Sequence, residues 1–284
     1  MLKKLLPVLA ALLLSAQALA LPYMRVTVLN VGQGLSAVVE TPDGKTMVFD
    51  CGSESAAFNR RGSNRTAGYL YSRGINRAEA VVMSHSDTDH CSGMAVLLTR
   101  VKAGTFYMGQ GPQDRGNMKS IDRVLAGRNI PVRKIKRGDS FMLGKYVTVK
   151  AVWGGTGSGG NPGSLALQAV YGQTSFLLTS DMSAAEEAEM CRIYGRGLES
   201  RVLLVPHHGS RGSASETLLE TVRPALAVIS AGRRNKYGHP SPGVLNRLNK
   251  RKILFLSTGS RGDITLVSDG KRTGVLEKNG RTGL

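Results

Sequence analysis

Short apolar runs separated by glycine and polar turns set the first pattern along the chain. MRVTVLNV (24–31), LSAVVET (35–41) and TMVFD (46–50) are rich in strand formers, and Gly-Gln-Gly and Pro-Asp-Gly divide them. TAGYLYSRG (66–74) reads as a helix that stops at Gly74. AEAVVMS (78–84) is a buried strand that runs straight into a polar cluster, and SGMAVLLTRV (92–101) is the helix behind it. A helix over GNMKSIDRVLAG and weaker strands at 131–135 and 146–152 complete a first half. A glycine-rich loop, GGTGSGGNPG (154–163), marks the midpoint.

Beyond the loop the pattern starts again. SLALQAVY and TSFLLTS lead to a helix at 183–194, and RVLLVPHHGS to one near 213–221. PALAVISAG, a helix at 241–250 and KILFLST follow, and GDITLVS and GVLEKN close the chain. Two halves of similar order predict two sheets packed face to face and covered outside by helices, a four-layer αββα sandwich. No stretch reads as a linker, so 21–284 is expected to be one domain. No repeat of 20 to 50 residues recurs, which disfavours a solenoid or propeller.

Residues 1–20, MLKKLLPVLAALLLSAQALA, carry two lysines, a short apolar run and Ala18-Leu19-Ala20 at the end. This is the pattern of a secretory signal peptide, and the apolar run is too short to span a bilayer comfortably. The expected location is the periplasm or the medium, with no membrane span left after cleavage.

Composition sharpens the question of partners. Of 284 residues, 38 are Lys or Arg and 20 are Asp or Glu, a net charge of +18. Without Lys3 and Lys4 the balance is still 36 against 20, or +16. Such an excess favours a polyanion as partner, with nucleic acid first among them. The cations fall at 60–65, 133–137, 233–236 and 247–252. Aromatics are 5% with one Trp, too few for a stacking platform as the main binding device, while 41% hydrophobic residues suffice for a core. Cys51, Cys91 and Cys191 form no C-x-x-C pair. An oxidising compartment would permit one disulfide, with Cys51 and Cys91 as the candidate pair.

The five histidines, His85, His90, His207, His208 and His239, all lie in polar clusters just after apolar strands or their turns. His85-Ser86-Asp87-Thr88-Asp89-His90 places four ligand-type side chains in six residues, a donor set that suits Zn²⁺, Mn²⁺ or Fe²⁺. His85 and Asp87 can turn to one ion, and Asp89 and His90 to a second. The bland alternative is a solvated turn whose aspartate caps the next helix. Asp181 ends an apolar strand, where it is either a bridging carboxylate or the cap of the helix at 183–194. The pair His207-His208 follows another apolar strand. His239, in a Gly/Pro turn, could be a ligand, an acid or a loop residue.

Taken in order, these motifs resemble the metallo-β-lactamase fold superfamily and, within it, the hydrolase domain of the ComEC family of DNA-uptake proteins. Asn30 to Gly34 resembles D-V-G-Q-G, Pro42 to Lys45 resembles P-D-G-K, and Asp50-Cys51-Gly52 resembles D-x-G. His85 to His90 matches H-x-D-x-D-H, and Asn161 with Ser164 resembles an N-x-x-S segment that replaces a ligand histidine of the lactamases. Thr179-Ser180-Asp181 resembles T-G-D, His207 to Ser210 matches H-H-G-S, and Asn235 to Ser241 resembles N-x-Y-G-H-P-S. Asn30 and Ser180 depart from the pattern without removing a ligand. The resemblance implies two divalent ions, Zn or Mn, held by His85, Asp87, Asp89, His90, Asp181 and His208, with the division between ions left open. It implies catalytic roles for Asp89 and for His239 or His207, and substrate contacts from Asn161, Ser164, Ser210, Asn235, Lys236 and Tyr237. A family channel is not part of this chain, so only the hydrolase module carries over.

The leading expectation is a metal-dependent phosphodiesterase, a nuclease acting on DNA. A hydrolase of a small ester or small diester is the second. A non-catalytic periplasmic protein that binds polyanions is the third.

Overall fold

The computed structural model describes residues 23–54, 65–154 and 164–277, with the backbone of 282–283. The expected leader at 1–20, most of the basic stretch at 60–65, and Asn161 lie outside the described residues.

The chain opens with an antiparallel meander of β1 (Met24–Val28), β2 (Ala37–Glu40) and β3 (Thr46–Phe49). Helix α1 (65–72) leads to β4 (Arg77–Met83), α2 (Thr88–Cys91) and α3 (Met94–Arg100). Next come β5 (Lys102–Gly109), α4 (Arg115–Gly127) and β6 (Val132–Ile135), and β3 to β6 pair in parallel. The second half repeats this plan. Strands β7 (Ser140–Leu143), β8 (Val147–Trp153), β9 (Ala166–Tyr171) and β10 (Thr174–Leu178) pair antiparallel. Helix α5 (Ala184–Tyr194), β11 (Val202–Leu204), α6 (Glu216–Val222), β12 (Leu226–Ile229), α7 (Pro242–Lys250) and β13 (Leu254–Ser257) continue it, with β10 to β13 parallel. After α8 (Thr258–Arg261), β14 (Ile264–Ser268), β15 (Thr273–Leu276) and β16 (Thr282–Gly283) return to the first sheet, where β14 lies antiparallel to β1. The result is a sheet ordered β16-β15-β14-β1-β2-β3-β4-β5-β6 against one ordered β13-β12-β11-β10-β9-β8-β7.

Side-chain alternation along the strands makes three apolar layers. Met47 and Phe49 of β3 and Val82 of β4 meet Leu167, Phe176 and Leu204 between the sheets. Val48, Val81 and Met83 point the other way and pack under Leu70, Leu97, Leu98, Met118 and Ile121 of the first helical layer. Leu203 and Ala227 do the same under Met190, Leu218 and Leu248 of the second. Burial on both faces explains why these strands read as near-continuous apolar runs. This is the four-layer αββα sandwich that the sequence pattern predicts.

Several elements differ from expectation, among them β7 (Ser140–Leu143), where no strand was expected. The helix expected over 92–101 begins at Met94 as α3, and a separate short turn, α2, precedes it and carries Asp89 and His90. Strand β5 is not legible because Gly104 interrupts it. A Cβ there would lie 2.5 Å from the Glu79 carbonyl oxygen, so the close approach of β4 requires glycine. The candidate Cys51–Cys91 disulfide is not formed: all three cysteines are free and buried. Burial pushes the Cys51 and Cys91 thiols up to about 12, so they behave as small apolar side chains. Among the described residues, no helix is long and apolar enough to cross a membrane.

Candidate metal centre

The sequence clusters meet where the parallel strands end. Asp50 follows β3, Ser84 and His85 follow β4, Asp181 follows β10, His207 and His208 follow β11, and Ser230 follows β12. Carboxyl ends of strands are where open α/β sheets present chemistry.

The capping alternatives fail on geometry. Asp87 occupies the N-cap position of α2 but makes no side-chain cap hydrogen bond; its carboxylate lies 3.5 Å from His85 Nε2. The cap of α5 is Ser183, in a reciprocal capping box with Glu186, which leaves Asp181 without a capping role.

Asp89, His90, Asp181 and His208 each place a ligand atom within 4.8 Å of the others. His90 Nε2 is 3.0 Å from Asp181 Oδ1 and 3.3 Å from His208 Nε2, and His208 Nε2 is 3.1 Å from Asp89 Oδ2. The far nitrogens of both rings are committed elsewhere. His208 Nδ1 donates to the Ser230 carbonyl at 2.8 Å, and His90 Nδ1 donates to Asp50 Oδ2 at 2.7 Å. In their neutral form both rings therefore turn a lone pair inward, toward two carboxylates. Four acceptors in such a space call for positive charge, either protons or a cation.

His85 joins from the side. Its ring centroid is 4.2 Å from that of His90, and its buried Nε2 makes no hydrogen bond. Its Nδ1 faces Ser84 Oγ at 3.0 Å and Ser180 Oγ at 3.1 Å. Ser84 gives its hydroxyl proton to Asp50, and Ser180 gives its own to Ser84. Both hydroxyl protons being used, His85 Nδ1 must donate, so its Nε2 also presents a lone pair. Asp50 thus sets the tautomer of His90 directly and of His85 through two serines. Ser180, a departure from the family's glycine, is part of this relay. The unpartnered Asp181 Oδ1 and His85 Nε2, both buried, fit a cation.

Burial opposes charge on His90, but Asp181 and Asp50 outweigh it and hold its pKa well above the ordinary imidazole value. His208 is raised in the same way by Asp181 and Asp89 against its burial. Burial would raise Asp89 and Asp181, but the neighbouring imidazoles bring Asp89 down to about 2 and Asp181 well below its usual range. Without metal the cluster therefore holds protons on its imidazoles near neutral pH, and a cation must expel them. Calorimetry in buffers of different ionisation enthalpy is expected to show net proton release on metal binding. Affinity should rise as pH increases through the raised imidazole pKa values, by about tenfold per unit for each proton displaced. Metal affinity independent of pH, with no proton release, would contradict this arrangement.

Backbone contacts hold α2 in place. Leu35 N donates to Asp89 O and Cys51 N to His90 O, each at 2.9 Å. A Cβ on Gly52 would lie 2.4 Å from the Asp89 carbonyl carbon, which explains the glycine of the D-x-G motif. His207 and His208 both have left-handed backbone, φ 49° and 53°, in the tight turn Pro206–Gly209.

An open cleft of about 610 Å³ lies over the cluster, lined by Gln33, Glu54, Asp87, Thr88, Asp89, Asp114, Asn117, Asp181, His207, His208, Tyr237 and His239. His207 Nε2 is 3.5 Å from Asp181 Oδ2, and its side chain is 42% exposed. His239 stacks on Tyr237; burial and the charges of His208 and His207 lower its pKa. Lys236 Nζ pairs with Glu54 at 2.9 Å, and the Tyr237 hydroxyl also contacts Glu54; Glu54 and Tyr237 line the cleft, and Lys236 stands behind them.

Asn235, Ser164 and Ser210 are not among the residues that line the cleft. Asn235 donates to the Gly232 and His239 carbonyls and accepts from Tyr237 N and His239 N, so its amide builds the turn that carries His239 and has no group left for substrate. Ser164 is buried at 1% exposure, and neither it nor Ser210 lines the cleft. Asp50, Ser84, Ser180, Gln33, Glu54, Asp114 and Asn117 were not among the expected site residues. Asp50 carried a usable signal: like Asp181, it is an aspartate at the end of an apolar strand.

The family model described as Metallo-beta-lactamase superfamily matches residues 29–233. ComE operon protein 3 of Bacillus subtilis is 27% identical over 251 residues, covering 84% of this chain and 32% of its own length. Competence protein ComA of Neisseria gonorrhoeae is 29% identical over 237 residues, covering 84% of this chain and 31% of its own. The chain thus spans about a third of the length of the curated relatives it matches. Among solved structures, the metallo-beta-lactamase fold protein YhfI from Bacillus subtilis superposes with a TM-score of 0.53 at 10% identity, covering 82% of this chain and 95% of that one.

Proposed function

The chain belongs to the metallo-β-lactamase superfamily and carries a His/Asp cluster suited to divalent metal, and from that premise we propose that it is a secreted phosphodiesterase that cleaves DNA. The observation that carries this reading is the convergence of His90, His208, Asp89 and Asp181, with the Nδ1 of both rings bonded away from the cluster so that each Nε2 faces into it. Relatives named for competence support nucleic acid as the substrate, as does the charge of +18. Residues 1–20 serve as the leader and 21–284 as the hydrolase domain.

Asp89, His90, Asp181 and His208 would hold a cation, and His85, Asp87 and Asp181 offer the donors a second would need. Zn²⁺ and Mn²⁺ both suit this mixed imidazole and carboxylate set. A bound divalent cation supplies positive charge that polarises a phosphoryl oxygen and acidifies water. Asp89, whose side chain lines the cleft, orients the attacking water. His239 has a lowered pKa, is neutral near pH 7 and hydrogen-bonds substrate oxygen or water. His207, beside Asp181 and open to the cleft, donates the proton to the leaving oxygen.

The test is incubation of the purified mature protein with labelled single- and double-stranded DNA, with and without Mn²⁺ or Zn²⁺, beside Asp89→Ala. Metal-dependent cleavage that falls at least about a hundredfold in the variant is the expected result. Hydrolysis of bis-p-nitrophenyl phosphate without DNA cleavage would shift the substrate to a small diester. Salt-sensitive DNA binding with no turnover under any metal would remove the enzyme reading.

A further inference from the structure

Beside the cleft runs a second depression that no step above uses. It lies between α4 and the edge strand β6 on the outer face of the first sheet, with a volume of about 880 Å³. Its floor is apolar: Met108 and Met118 are buried, and Val132 is 48% exposed. Its rim is cationic. Arg115 and Lys119 stand one turn apart on α4, and Lys134 lies two residues from Val132 on the same face of β6. None of the three cations forms an ion pair with a described residue, and one acid, Asp122, is among the lining groups.

The depression and the metal cleft meet the same first turn of α4. Asp114 and Asn117 line the cleft, while Arg115 and Met118 line the groove. That turn is fixed to the metal-site loop: Asp114 N donates to Ser86 Oγ at 2.6 Å, and Asn117 Nδ2 donates to Ser86 O at 2.7 Å. A chain whose scissile phosphate sits over the cluster would extend along α4.

We propose that this groove is the subsite for single-stranded polynucleotide flanking the cleaved bond, an inference that rests on the nuclease reading above. The chemistry selects a strand over a duplex. A single strand offers phosphates to Arg115, Lys119 and Lys134 and exposed base faces to the methionine and valine floor. A duplex hides its base faces in its own stack and would leave that floor uncovered. A small diester would not reach the groove.

The test uses full-length mature protein and a fluorescein-labelled 20-nucleotide oligo-dT, measured by anisotropy in EDTA so that binding is read without cleavage. Arg115→Gln with Lys119→Gln is expected to weaken binding by about tenfold and to flatten the slope of log K against log salt by roughly 1.4, at ~0.7 per phosphate contact on a single strand. Turnover of bis-p-nitrophenyl phosphate should not change, because neither residue touches the metal cluster. Hydrogen exchange on the wild-type protein should show oligo-dT protecting 115–122 and 132–136, a readout that needs no variant. Unchanged affinity and slope in a variant of a wild-type protein that binds and cuts DNA would overturn the groove and leave the nuclease intact. A blunt 20-base-pair duplex that binds more tightly than the strand, and is weakened by the same substitutions, would overturn the choice of occupant. If the wild-type protein hydrolyses the small diester but neither binds nor cuts any oligonucleotide, the nuclease reading fails and the groove falls with it. If the double variant loses small-diester turnover, the exchange experiment decides, and absence of protection overturns the proposal.

Discussion

Asp181→Asn is expected to lower hydrolysis of bis-p-nitrophenyl phosphate by at least about 10²–10³-fold, the scale of removing one preorganised charge-stabilising group. Asp181 is the carboxylate nearest the middle of the cluster, 3.0 Å from His90, 3.7 Å from His208 and 3.5 Å from His207. Its Oδ1 is buried without a hydrogen bond. The amide preserves volume but removes a full negative charge, so cation binding should weaken together with turnover. Elemental analysis of the loaded variant should show reduced metal per chain, while circular dichroism remains that of the wild-type fold. A variant that keeps both its metal and its turnover would exclude Asp181 from the centre.

The second large effect is expected at Asp50, which never reaches the cleft. Asp50 and His90 are both fully buried. Asp50 accepts from His90 Nδ1, Ser84 N and Ser84 Oγ. Asp50→Ala leaves three buried donors without an acceptor, and removing one member of a buried pair costs about 3–5 kcal/mol of stability. Urea denaturation of chelated protein measures this loss. Asp50→Asn separates the two roles. Its amide retains the shape but can no longer accept at both ends, so the tautomers of His90 and His85 are released. Metal affinity should fall about 10–100-fold, with a smaller loss of stability than in the alanine variant. Wild-type affinity in Asp50→Asn would show that the relay does not orient the ligands.

The sandwich was legible because both sheets bury both faces of their inner strands: the apolar runs of β1 to β4 and β9 to β12 have few other homes. The histidine clusters were legible because each follows such a run. What the sequence hid are effects of distance and of backbone approach. Gly104 masks β5, since its reason lies in Glu79 on the neighbouring strand. The Ser180–Ser84–Asp50 relay joins residues 96 and 34 positions apart, so no local spacing reveals it. The motif around Asn235 names a residue and not the direction its amide faces, so its bonds within the 232–239 turn were not legible either. Asp114 and Asn117 entered the cleft wall only through the packing of α4 on Ser86.

The turn at His207 and His208 sets two consecutive non-glycine residues in left-handed backbone, a conformation that disfavours side-chain-bearing residues by about 1–2 kcal/mol each. The most robust version of this chain and the most useful one are therefore different sequences. A search guided by heat resistance alone would drift toward glycine at both positions, and its winners would be sturdier proteins that have lost one imidazole of the cluster and the one facing the cleft.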